Sequence, residues 1–375
     1  GEKGGECVYQ GTVDGLKART DTATGGMLAR RGIDSVTNFE PSDSWLTLEG
    51  AGTNNLRDVT VRFPKGGLSV VTGVSGSGKS TLVRDVLYAL LLERRGQRSS
   101  NPLGGATLAG DDFEEIVLVD QGSIARSSRS CPLTFSGAYT PIRELFAATD
   151  HARLHRFTAG TFSFNTTGGR CERCEGTGVV TIEMHFMADL ELPCDVCGTR
   201  RFKEEVLATR VRGKSIADVF SMTVDEGLAF FSEEGAIVRR LRPLADVGLG
   251  YVRLGQTTSQ MSGGELQRLK LASYVGKSSR SERKTLFVFD EPTVGLHLRD
   301  VETLLKALRQ LTDAGHTIVV VEHNLDFVAA CDWNIDLGPG AGPEGGRLVH
   351  EGTIPSLRSA TESVTGRYLD EALTS

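Results

Sequence analysis

Hydrophobic and polar positions alternate with a period of two in two segments near the start of the chain, residues 45–48 and 59–63. This alternation predicts strands that are buried on one face only. Three other segments, residues 68–73, 115–119 and 286–289, are predominantly apolar. Short apolar runs of this kind are typical of strands that are covered on both faces, as in a parallel sheet.

Helices and further strands are predicted around these segments. We expect helices at residues 79–93 and 300–314, and strands at residues 317–321 and 334–337. The repeated order of strand and helix predicts an α/β fold. Residues 122–206 are irregular and interrupt this order, so we interpret them as an insertion.

The two ends of the chain resemble each other. Residues 4–12 align without a gap on residues 345–353, and the same offset of 341 places Leu28 on Leu369. A chance match between two Gly-rich hairpins does not explain a constant register of this length. We therefore interpret the two ends as copies that arose by tandem duplication.

The composition is typical of a globular protein that does not span a membrane. The 375 residues are 39% hydrophobic and carry a net charge of −6, which argues against a surface that coats nucleic acid throughout. No apolar run approaches the ~18 residues that a membrane-spanning helix needs. Four of the seven cysteines form two Cys-x-x-Cys pairs, which favours a metal site in a reducing, cytoplasmic environment over a disulfide framework.

A glycine-rich turn follows the strand predicted at residues 68–73 and matches G-x-x-x-x-G-K-[ST], the P-loop. The backbone N–H groups of such a turn point at phosphate oxygens, and the following helix adds partial positive charge. We expect Lys79 to reach the outer phosphates of ATP and the Ser80 hydroxyl to bind Mg²⁺. The candidate nucleotide-binding residues are Gly73, Ser75, Gly76, Gly78, Lys79, Ser80 and Thr81.

Two acidic residues follow the strand predicted at residues 286–289. Asp290 can hold Mg²⁺ through water, and Glu291 is placed to polarise the water that attacks the nucleotide. A strand that merely ends in an acidic turn is the alternative, and the P-loop in the same chain makes it the weaker one.

The two Cys-x-x-Cys pairs are separated by 19 residues (175–193), a spacing typical of structural zinc sites. Four independent buried thiols are improbable at this spacing, whereas iron in the same cage remains an alternative. Residues 179–186 predict a strand between the pairs. The predicted Zn²⁺ ligands are Cys171, Cys174, Cys194 and Cys197.

Positive charge is concentrated on both sides of the cysteine pairs, although the whole chain is acidic. A polyanion such as double-stranded DNA would therefore bind in this region. An ordinary charged surface exposed to solvent explains the same pattern equally well from charge alone. The candidate DNA contacts are Arg126, Arg129, Arg170, Arg173, Arg200, Arg201 and Lys203.

A Ser-Gly-Gly-Glu run begins a predicted helix and resembles the signature loop of ATP-binding cassette (ABC) ATPases. In that family the loop acts on nucleotide held by a partner domain, which implies a second cassette as a tandem copy or in a homodimer. His323 resembles the switch histidine that contacts the γ-phosphate, and Gln121 resembles the Q-loop glutamine. The candidate residues of the loop are Ser262, Gly263, Gly264 and Glu265.

The resemblance extends beyond a generic cassette to the UvrA family, through residues 119–121, 140–146, 168–178, 183–186 and 322–326. It covers nearly the whole chain and corresponds to the C-terminal cassette of a protein with two cassettes in tandem. It implies an ATP-hydrolysing, zinc-containing subunit that recognises damaged or distorted DNA in nucleotide excision repair. It also implies that a UvrB-like partner docks outside this chain.

Residues 122–133 depart from the family pattern, because the arginines remain while a glycine and both prolines are lost. This divergence indicates a paralogue and keeps open a UvrA-like self-resistance ATPase against DNA-binding drugs. The ATPase subunit of an ABC transporter is a weaker alternative, because of the cysteine pairs and the lack of a membrane segment.

These features together predict a P-loop ABC-type α/β ATPase domain with an inserted, zinc-bearing signature domain. Each expected segment follows from a motif or a change in composition described above. The segments are 1–30, the tail of a preceding cassette; 31–44, a linker; 45–120, the first part of the nucleotide-binding domain; 121–225, the inserted domain with its zinc module at 168–205; and 226–375, the second part of the nucleotide-binding domain.

Overall fold

The computed structural model describes residues 6–29, 39–41, 43–97, 103–120, 124–182, 184, 190–278 and 284–374. The strands are β1 Trp45–Ala51, β2 Val59–Pro64, β3 Leu68–Gly73, β4 Thr107–Ala109, β5 Glu115–Val119, β6 Val179–Ile182, β7 Leu190–Pro193, β8 Thr285–Asp290, β9 Thr317–Val321, β10 Trp333–Gly338 and β11 Arg347–Gly352. The α-helices are α1 Val13–Ala18, α2 Ala23–Leu28, α3 Ala89–Arg94, α4 Pro132–Phe135, α5 Tyr139–Ala147, α6 Asp150–Leu154, α7 Glu204–Leu207, α8 Ile216–Ser221, α9 Val224–Phe230, α10 Gly235–Asp246, α11 Gly263–Ser278, α12 Leu298–Asp313, α13 Leu325–Ala329, α14 Ile354–Arg358 and α15 Val364–Thr374.

The chain folds into two compact units. The first, which we call the cassette unit, consists of residues 2–123 and 277–375. The second, which we call the inserted unit, consists of residues 124–276. The insertion predicted from the irregular sequence is therefore a compact body of its own.

The central sheet of the cassette unit has six strands in the order β11-β10-β3-β9-β8-β5. The pairs from β10 to β5 are parallel, and the edge pair of β10 and β11 is antiparallel. Strands β9 and β10 are buried along their whole length, as expected of a sheet covered on both faces. This sheet confirms the α/β fold. The P-loop begins at the last residue of β3, Asp290 ends β8, and Glu291 directly follows it. These positions are the carboxyl ends of parallel strands, where open α/β sheets bind ligands.

A smaller antiparallel sheet in the order β2-β1-β4 packs in the same unit. Alternate residues of β1 and β2 are buried, as the period of two predicts. Leu48 and Phe63 from this sheet share one hydrophobic cluster with Val71 of β3 and Val86 of the following helix. This common core fixes the position of the strand from which the P-loop emerges.

The helix after the P-loop differs in detail from the prediction of one helix over residues 79–93. Its first part, Thr81–Tyr88, is wound as a π-helix, and it continues without a break into α3. Leu82, Val83, Val86 and Leu87 of the π-helical part are buried. Wider winding of this kind is rare and is found frequently at functional sites.

Aromatic side chains form the core of the inserted unit. Phe146, Phe162 and Phe164 are fully buried. The hydroxyl of the buried Tyr139 donates to Phe162 O at 2.5 Å and accepts from Phe164 N at 3.1 Å. Strands β6 and β7 of the same unit pair in the antiparallel direction. The strand predicted at residues 179–186 ends at Ile182 in β6, and residues 183 and 185–186 lie outside the described residues.

The inserted unit continues beyond the boundary expected at residue 225. Residues 226–276, which the sequence analysis assigns to the second part of the nucleotide-binding domain, belong to this unit instead. Thr258 shows the reason, because its N–H donates to Ser130 O at 2.9 Å and its Oγ1 accepts from Ser127 N at 2.9 Å. Helix α10 likewise packs on α9 and α5. Bonds between segments far apart in sequence decide this boundary, and a change in local pattern does not reveal them.

The short helices at the two ends of the chain repeat the offset of 341. Helices α1 and α14 begin at equivalent positions, and so do α2 and α15. A Cβ atom on Gly25 would lie 2.4 Å from Leu16 O, and one on Gly366 would lie 2.2 Å from Leu357 O. The same glycine therefore permits the same close approach at both ends, as a duplication predicts. Within the described ranges, every helix is too short or too polar to cross a membrane.

Candidate functional site

The P-loop connects β3 to the π-helix through positions that require glycine. Gly73 has a φ of 132°, and a Cβ atom there would lie 2.0 Å from Leu337 O. Gly78 has a φ of 105°, a conformation that other residues rarely adopt. The Lys79 Nζ donates to Gly73 O at 3.0 Å and to Val74 O at 2.8 Å. The loop thus curves around the lysine ammonium, which is the group predicted to bind phosphate.

The two acidic residues at the end of β8 lie beside the P-loop. The Ser80 hydroxyl donates to Asp290 Oδ1 over 3.4 Å. Hydroxyl and carboxylate oxygens are ligands that Mg²⁺ prefers, so Ser80 and Asp290 fit the magnesium site proposed for them. Glu291 has a φ of 47°, which is strained for a residue other than glycine. Its N–H donates to Val321 O at 2.9 Å, and this bond holds the turn in place.

Charges at this site are balanced only in part by the protein. Burial raises the pKa of Asp290 above its ordinary value, and the neighbouring Glu291 raises it further. Burial lowers the pKa of Lys79, while Glu291 and two aspartates act in the opposite direction. A bound cation would favour the charged form of Asp290, and bound phosphate would favour that of Lys79. Mg²⁺ and ATP together would supply both charges.

His323 lies next to Glu291, with 3.2 Å between His323 Nε2 and Glu291 Oε1. The buried Glu322 fixes this arrangement through hydrogen bonds to the backbone. Its Oε2 accepts from the N–H groups of His323 at 2.8 Å and Asn324 at 3.2 Å, and its Oε1 accepts from Thr293 N at 2.8 Å. Glu322 is a functional candidate that the sequence analysis missed. A carboxylate directly after a buried strand was the available signal.

A second missed residue is Asp336, which is buried in β10. Its Oδ1 accepts from Thr72 Oγ1 at 2.6 Å and from Thr365 Oγ1 at 2.9 Å, and its Oδ2 accepts from Ser363 Oγ at 2.6 Å. Thr72 directly precedes the P-loop. Asp336 therefore ties the strand that carries the P-loop to the start of α15.

The predicted signature-loop residues Ser262, Gly263, Gly264 and Glu265 belong to the inserted unit, at the start of α11. Ser262 N donates to Glu265 Oε2 at 2.8 Å, and Glu265 N donates to Ser262 Oγ at 3.3 Å. This reciprocal pair is a capping box, which stabilises a helix N-terminus. Gln121, the predicted Q-loop glutamine, lies outside the described residues.

The four predicted zinc ligands converge in the inserted unit, and their Sγ atoms all lie within 4.8 Å of one another. The Sγ atoms of Cys171 and Cys194 are 3.9 Å apart, and those of Cys174 and Cys197 are 3.7 Å apart. A tetrahedron with Zn–S bonds of about 2.3 Å has edges of about 3.8 Å. The four thiols therefore fit a tetrahedral zinc ion.

Backbone hydrogen bonds hold the cysteines of this cluster in place. Gly178 N donates to Cys174 Sγ at 3.3 Å, and Gly178 has a φ of 85°. Cys171 N donates to Arg201 O at 2.8 Å. N–H groups that point at thiolates stabilise their negative charge and fix the geometry of a metal site.

Most of the arginines and lysines predicted to contact DNA have a carboxylate partner. Arg200 pairs with Glu204 at 3.0 Å, and Lys203 pairs with Glu172 at 2.6 Å. The other pairs are Arg129 with Glu175, Arg170 with Glu175, and Arg173 with Asp195. Arg126 is exposed and has no ion pair with another described residue. Exposed pairs of this kind contribute little to stability, so these side chains can exchange their carboxylate partner for another anion.

Arg201 differs from the other basic residues because its guanidinium is packed against aromatic rings. Its Cζ lies 5.2 Å from the ring centre of Phe164 and 5.4 Å from that of Phe220. Its Nη2 donates to Gly255 O at 2.9 Å. Arg201 is therefore fixed by packing and by a backbone hydrogen bond, whereas Arg200 and Lys203 form ion pairs at the surface.

No protein-family model matches the chain. The chain is 47% identical over its whole length to UvrABC system protein A of Methanothermobacter thermautotrophicus, and 46% identical over 98% of its length to that of Thermus thermophilus. It spans 39% of each of these relatives. It is also similar to the crystal structure of UvrA2 from Deinococcus radiodurans, with a TM-score of 0.90, 48% identity, and coverage of 100% of this chain and 45% of that one. Together with the P-loop and the cysteine cluster, these similarities show that the chain belongs to the UvrA family.

Proposed function

We propose that this chain is the C-terminal cassette of an ATP-hydrolysing, zinc-containing protein that recognises damaged or distorted DNA in nucleotide excision repair. The observation that carries the proposal is the 47% identity over the whole chain to a UvrABC system protein A. The P-loop and the pair of Glu291 and His323 support the ATPase part of it. The cysteine cluster and the basic side chains around it support the DNA-binding part.

Each residue of the nucleotide site has a distinct part in ATP hydrolysis. The P-loop N–H groups and Lys79 bind the outer phosphates. Ser80 and Asp290 would hold Mg²⁺, which would neutralise the charge that develops on these phosphates. Glu291 orients and polarises the attacking water. His323 Nε2 lies within hydrogen-bond distance of Glu291, so it positions that carboxylate. Its resemblance to the switch histidine assigns it a contact with the γ-phosphate as well.

A second cassette completes this nucleotide site. Helix α11 begins with two half-buried glycines after the exposed Ser262, and the N–H and hydroxyl groups at such a helix start suit a phosphate. We assign this loop to the nucleotide held by a partner cassette, either a tandem copy or a second chain. The capping box of Ser262 and Glu265 keeps the loop in shape for that contact.

The zinc module supports the surface that binds DNA. The four thiols would hold a metal, with Zn²⁺ favoured over iron, which would join the two cysteine knuckles beside Arg173, Arg200 and Lys203. These side chains bind phosphates rather than base edges, so affinity depends little on sequence. Recognition of a lesion then follows from how easily the DNA deforms.

The test is DNA binding by the complete protein that contains this cassette, with and without a lesion and with and without ATP. We expect tighter binding to damaged DNA than to intact DNA, and a dependence on ATP that a Lys79→Ala variant abolishes. Equal binding to damaged and intact DNA under every nucleotide condition would contradict a role in damage recognition. A UvrB-like partner is expected to bind outside this chain, so this cassette alone should not retain such a partner.

A self-resistance ATPase against DNA-binding drugs is the second candidate, and the divergence in residues 122–133 favours it. The two functions differ in the ligand that changes DNA binding. A resistance protein should release an intercalator from intact DNA when it hydrolyses ATP. A repair protein should instead remain on DNA that carries a covalent lesion.

A further inference from the structure

The inserted unit contains a cavity of about 330 Å³ beside the zinc module. Its wall is formed by the base of the β6–β7 hairpin, by helix α8, and by the loop that includes Gln256 and Gln260. We call it the Arg201 cavity, because Arg201 lines it and is the most firmly held of its charged residues. Its volume lies at the lower end of the range for small-ligand sites, and none of the residues assigned above to the nucleotide or to zinc lines it.

Positive charge dominates the wall of this cavity. Among the described residues that line it, three are basic, Arg200, Arg201 and Arg253, and one is acidic, Glu191. Arg201 forms no ion pair within the described part of the chain, and its Nη1 is buried without a hydrogen-bond partner. A buried charge without a counter-ion is costly. An anion in the cavity would offset that cost.

The uncharged polar groups in the wall suit a phosphoryl group. The cavity is also lined by six hydroxyl side chains and by the amides of Gln256 and Gln260. Hydroxyl, amide and guanidinium groups together donate hydrogen bonds in many directions, which suits the several oxygens of a phosphoryl group. Thr177 and Ser221 already donate to backbone carbonyls, and the hydroxyls of Thr257 and Ser259 bond each other. Within the described residues, the hydroxyls of Ser128 and Thr199 and the two amides therefore remain to donate to an anion.

The position of the arginine is fixed before any ligand binds. Phe164 and Phe220 pack against the Arg201 guanidinium, and Gly255 O accepts from its Nη2. Little conformational freedom of Arg201 is then lost when an anion binds, which favours affinity. Arg200 pairs with Glu204 on the surface at 3.0 Å, and this weak pair can be exchanged for a phosphate.

We propose that the Arg201 cavity binds a phosphoryl group, with Arg201 as the fixed charge and Arg200 as a second charge at the surface. The phosphoryl group belongs either to the backbone of a polynucleotide or to a free phosphate. Only the first source rests on the proposed DNA binding. The same hydrogen-bond chemistry serves both sources, so the experiment must separate them.

The experiment uses the full chain with a Lys79→Ala substitution, which removes phosphate binding at the P-loop. Inorganic phosphate is titrated by calorimetry, and double-stranded DNA is titrated at several salt concentrations without nucleotide. We expect Arg201→Gln to weaken phosphate binding at least about tenfold, because the variant removes the fixed positive charge of the cavity. Arg153→Gln is the matched control, because Arg153 is exposed in the same unit and does not line the cavity.

A second variant keeps the test decisive if Arg201→Gln does not fold. Gln260→Glu leaves Arg201 in place, is nearly isosteric, and adds a negative charge to the wall, so it should also weaken phosphate binding. A folded Gln260→Glu variant that binds phosphate as tightly as its parent would overturn the proposal, and so would a folded Arg201→Gln variant with unchanged binding.

The DNA titration identifies the source of the phosphate. If the source is a polynucleotide, Arg201→Gln lowers DNA affinity and flattens the plot of log affinity against log salt by about one unit. If the source is a free phosphate, the variant loses phosphate binding and keeps its DNA affinity. A parent that binds phosphate but no DNA would contradict DNA binding by this cassette and leave the proposal for the cavity intact. A parent that binds DNA but no phosphate would contradict the proposal for the cavity and leave DNA binding by this cassette intact.

Discussion

His323 Nε2 lies 3.2 Å from Glu291 Oε1, although the two residues follow different strands of the central sheet. The backbone creates this proximity. Glu291 is held in a left-handed conformation with a φ of 47°, and Glu322 accepts three N–H groups from the two turns that carry the pair. Strain of this kind persists where the surrounding structure imposes it, and it is concentrated at functional sites.

We expect Glu322→Gln to lower the kcat of ATP hydrolysis by about tenfold, with a smaller change in the KM for ATP. An amide has one acceptor oxygen and two N–H donors, so it cannot accept from the same three N–H groups. His323 and Glu291 would then lose their relative position, while the P-loop would still bind nucleotide. Steady-state kinetics over a range of ATP concentrations measures both parameters.

Glu362→Gln is the matched control for this variant, because Glu362 is exposed. It should leave kcat and KM unchanged. A Glu322→Gln protein with the parent's kcat would show that Glu322 has no part in positioning the catalytic pair.

We expect Cys174→Ser to lose the bound metal and leave the P-loop able to bind ATP. The four thiols fit one zinc ion, and a serine hydroxyl is a poor replacement for a thiolate ligand. The ligands and the P-loop belong to different compact units, so loss of metal should unfold the zinc module locally. Elemental analysis gives the metal content, and a fluorescent ATP analogue measures nucleotide binding.

Cys7→Ser serves as the control, because Cys7 is exposed and is not one of the four clustered thiols. That variant should keep one zinc ion per chain. A parent protein with well under one zinc ion and no iron per chain would contradict the metal site itself.

We expect the triple variant Arg173→Ala, Arg200→Ala, Lys203→Ala to bind all DNA sequences more weakly. The plot of log affinity against log salt should flatten by about one unit for each phosphate that the variant no longer neutralises. The three side chains are at least partly exposed and have carboxylate partners. Fluorescence anisotropy at several salt concentrations tests this expectation. Unchanged affinity at low salt would favour the alternative of an ordinary charged surface.

The sequence predicts those parts of the cassette that local patterns encode. The P-loop, the carboxylates after β8 and the histidine after β9 each follow a buried strand, and parallel strands bring their carboxyl ends to one edge of the sheet. The strands β3, β5, β8, β9 and β10 accordingly lie close to their predicted positions. The cysteine spacing likewise predicts the cluster without further information.

The parts that the sequence does not reveal depend on bonds between distant segments. Asp336 accepts from Thr72, which is 264 residues earlier, and nothing in the local pattern distinguishes Asp336 from other acidic residues. The boundary of the inserted unit depends in the same way on Thr258, which bonds to residues near its beginning. The packing of Arg201 against Phe164 and Phe220 is a third example, because charge alone predicts an exposed contact.

We expect the free energy of unfolding to fall as the pH decreases below about 6.5, in part through His316. Burial lowers the pKa of His316, and the nearby Lys284 lowers it further. Its Nδ1 accepts from Thr285 N at 3.2 Å, so the folded protein holds the neutral ring. The unfolded chain takes up a proton at the ordinary pKa. The contribution of His316 to the free energy of unfolding is therefore complete above that value and decreases below it.

Urea denaturation at about pH 7.5 and about pH 5.5 tests this dependence. His316→Asn should lose stability on acidification less steeply than the parent, by at most about 1.4 kcal/mol per pH unit. His155→Asn is the control, because His155 is exposed. An equally steep loss in the His316→Asn protein would exclude His316 as a source of the pH dependence.

The proposed partnership between two cassettes leads to a complementation experiment. A chain with Glu291→Gln lacks the residue that polarises water, and a chain with Ser262→Arg blocks the loop that serves the partner's nucleotide. Each variant alone should hydrolyse ATP poorly, because every site in its dimer carries one defect. Phosphoryl transfer depends on positioned charge, so a site with one defect binds nucleotide and turns it over slowly.

A mixture of the two variants should recover activity. If cassettes pair face to face, each site joins Glu291 of one chain to Ser262 of the other, so a mixed dimer has one site with both defects and one with neither. Random pairing makes about half of the dimers mixed, and each of these keeps one of two sites, so about a quarter of the parent rate should return. The rate should also depend on protein concentration. Full activity in either single variant, or a rate per chain independent of concentration, would mean that one chain builds the whole site.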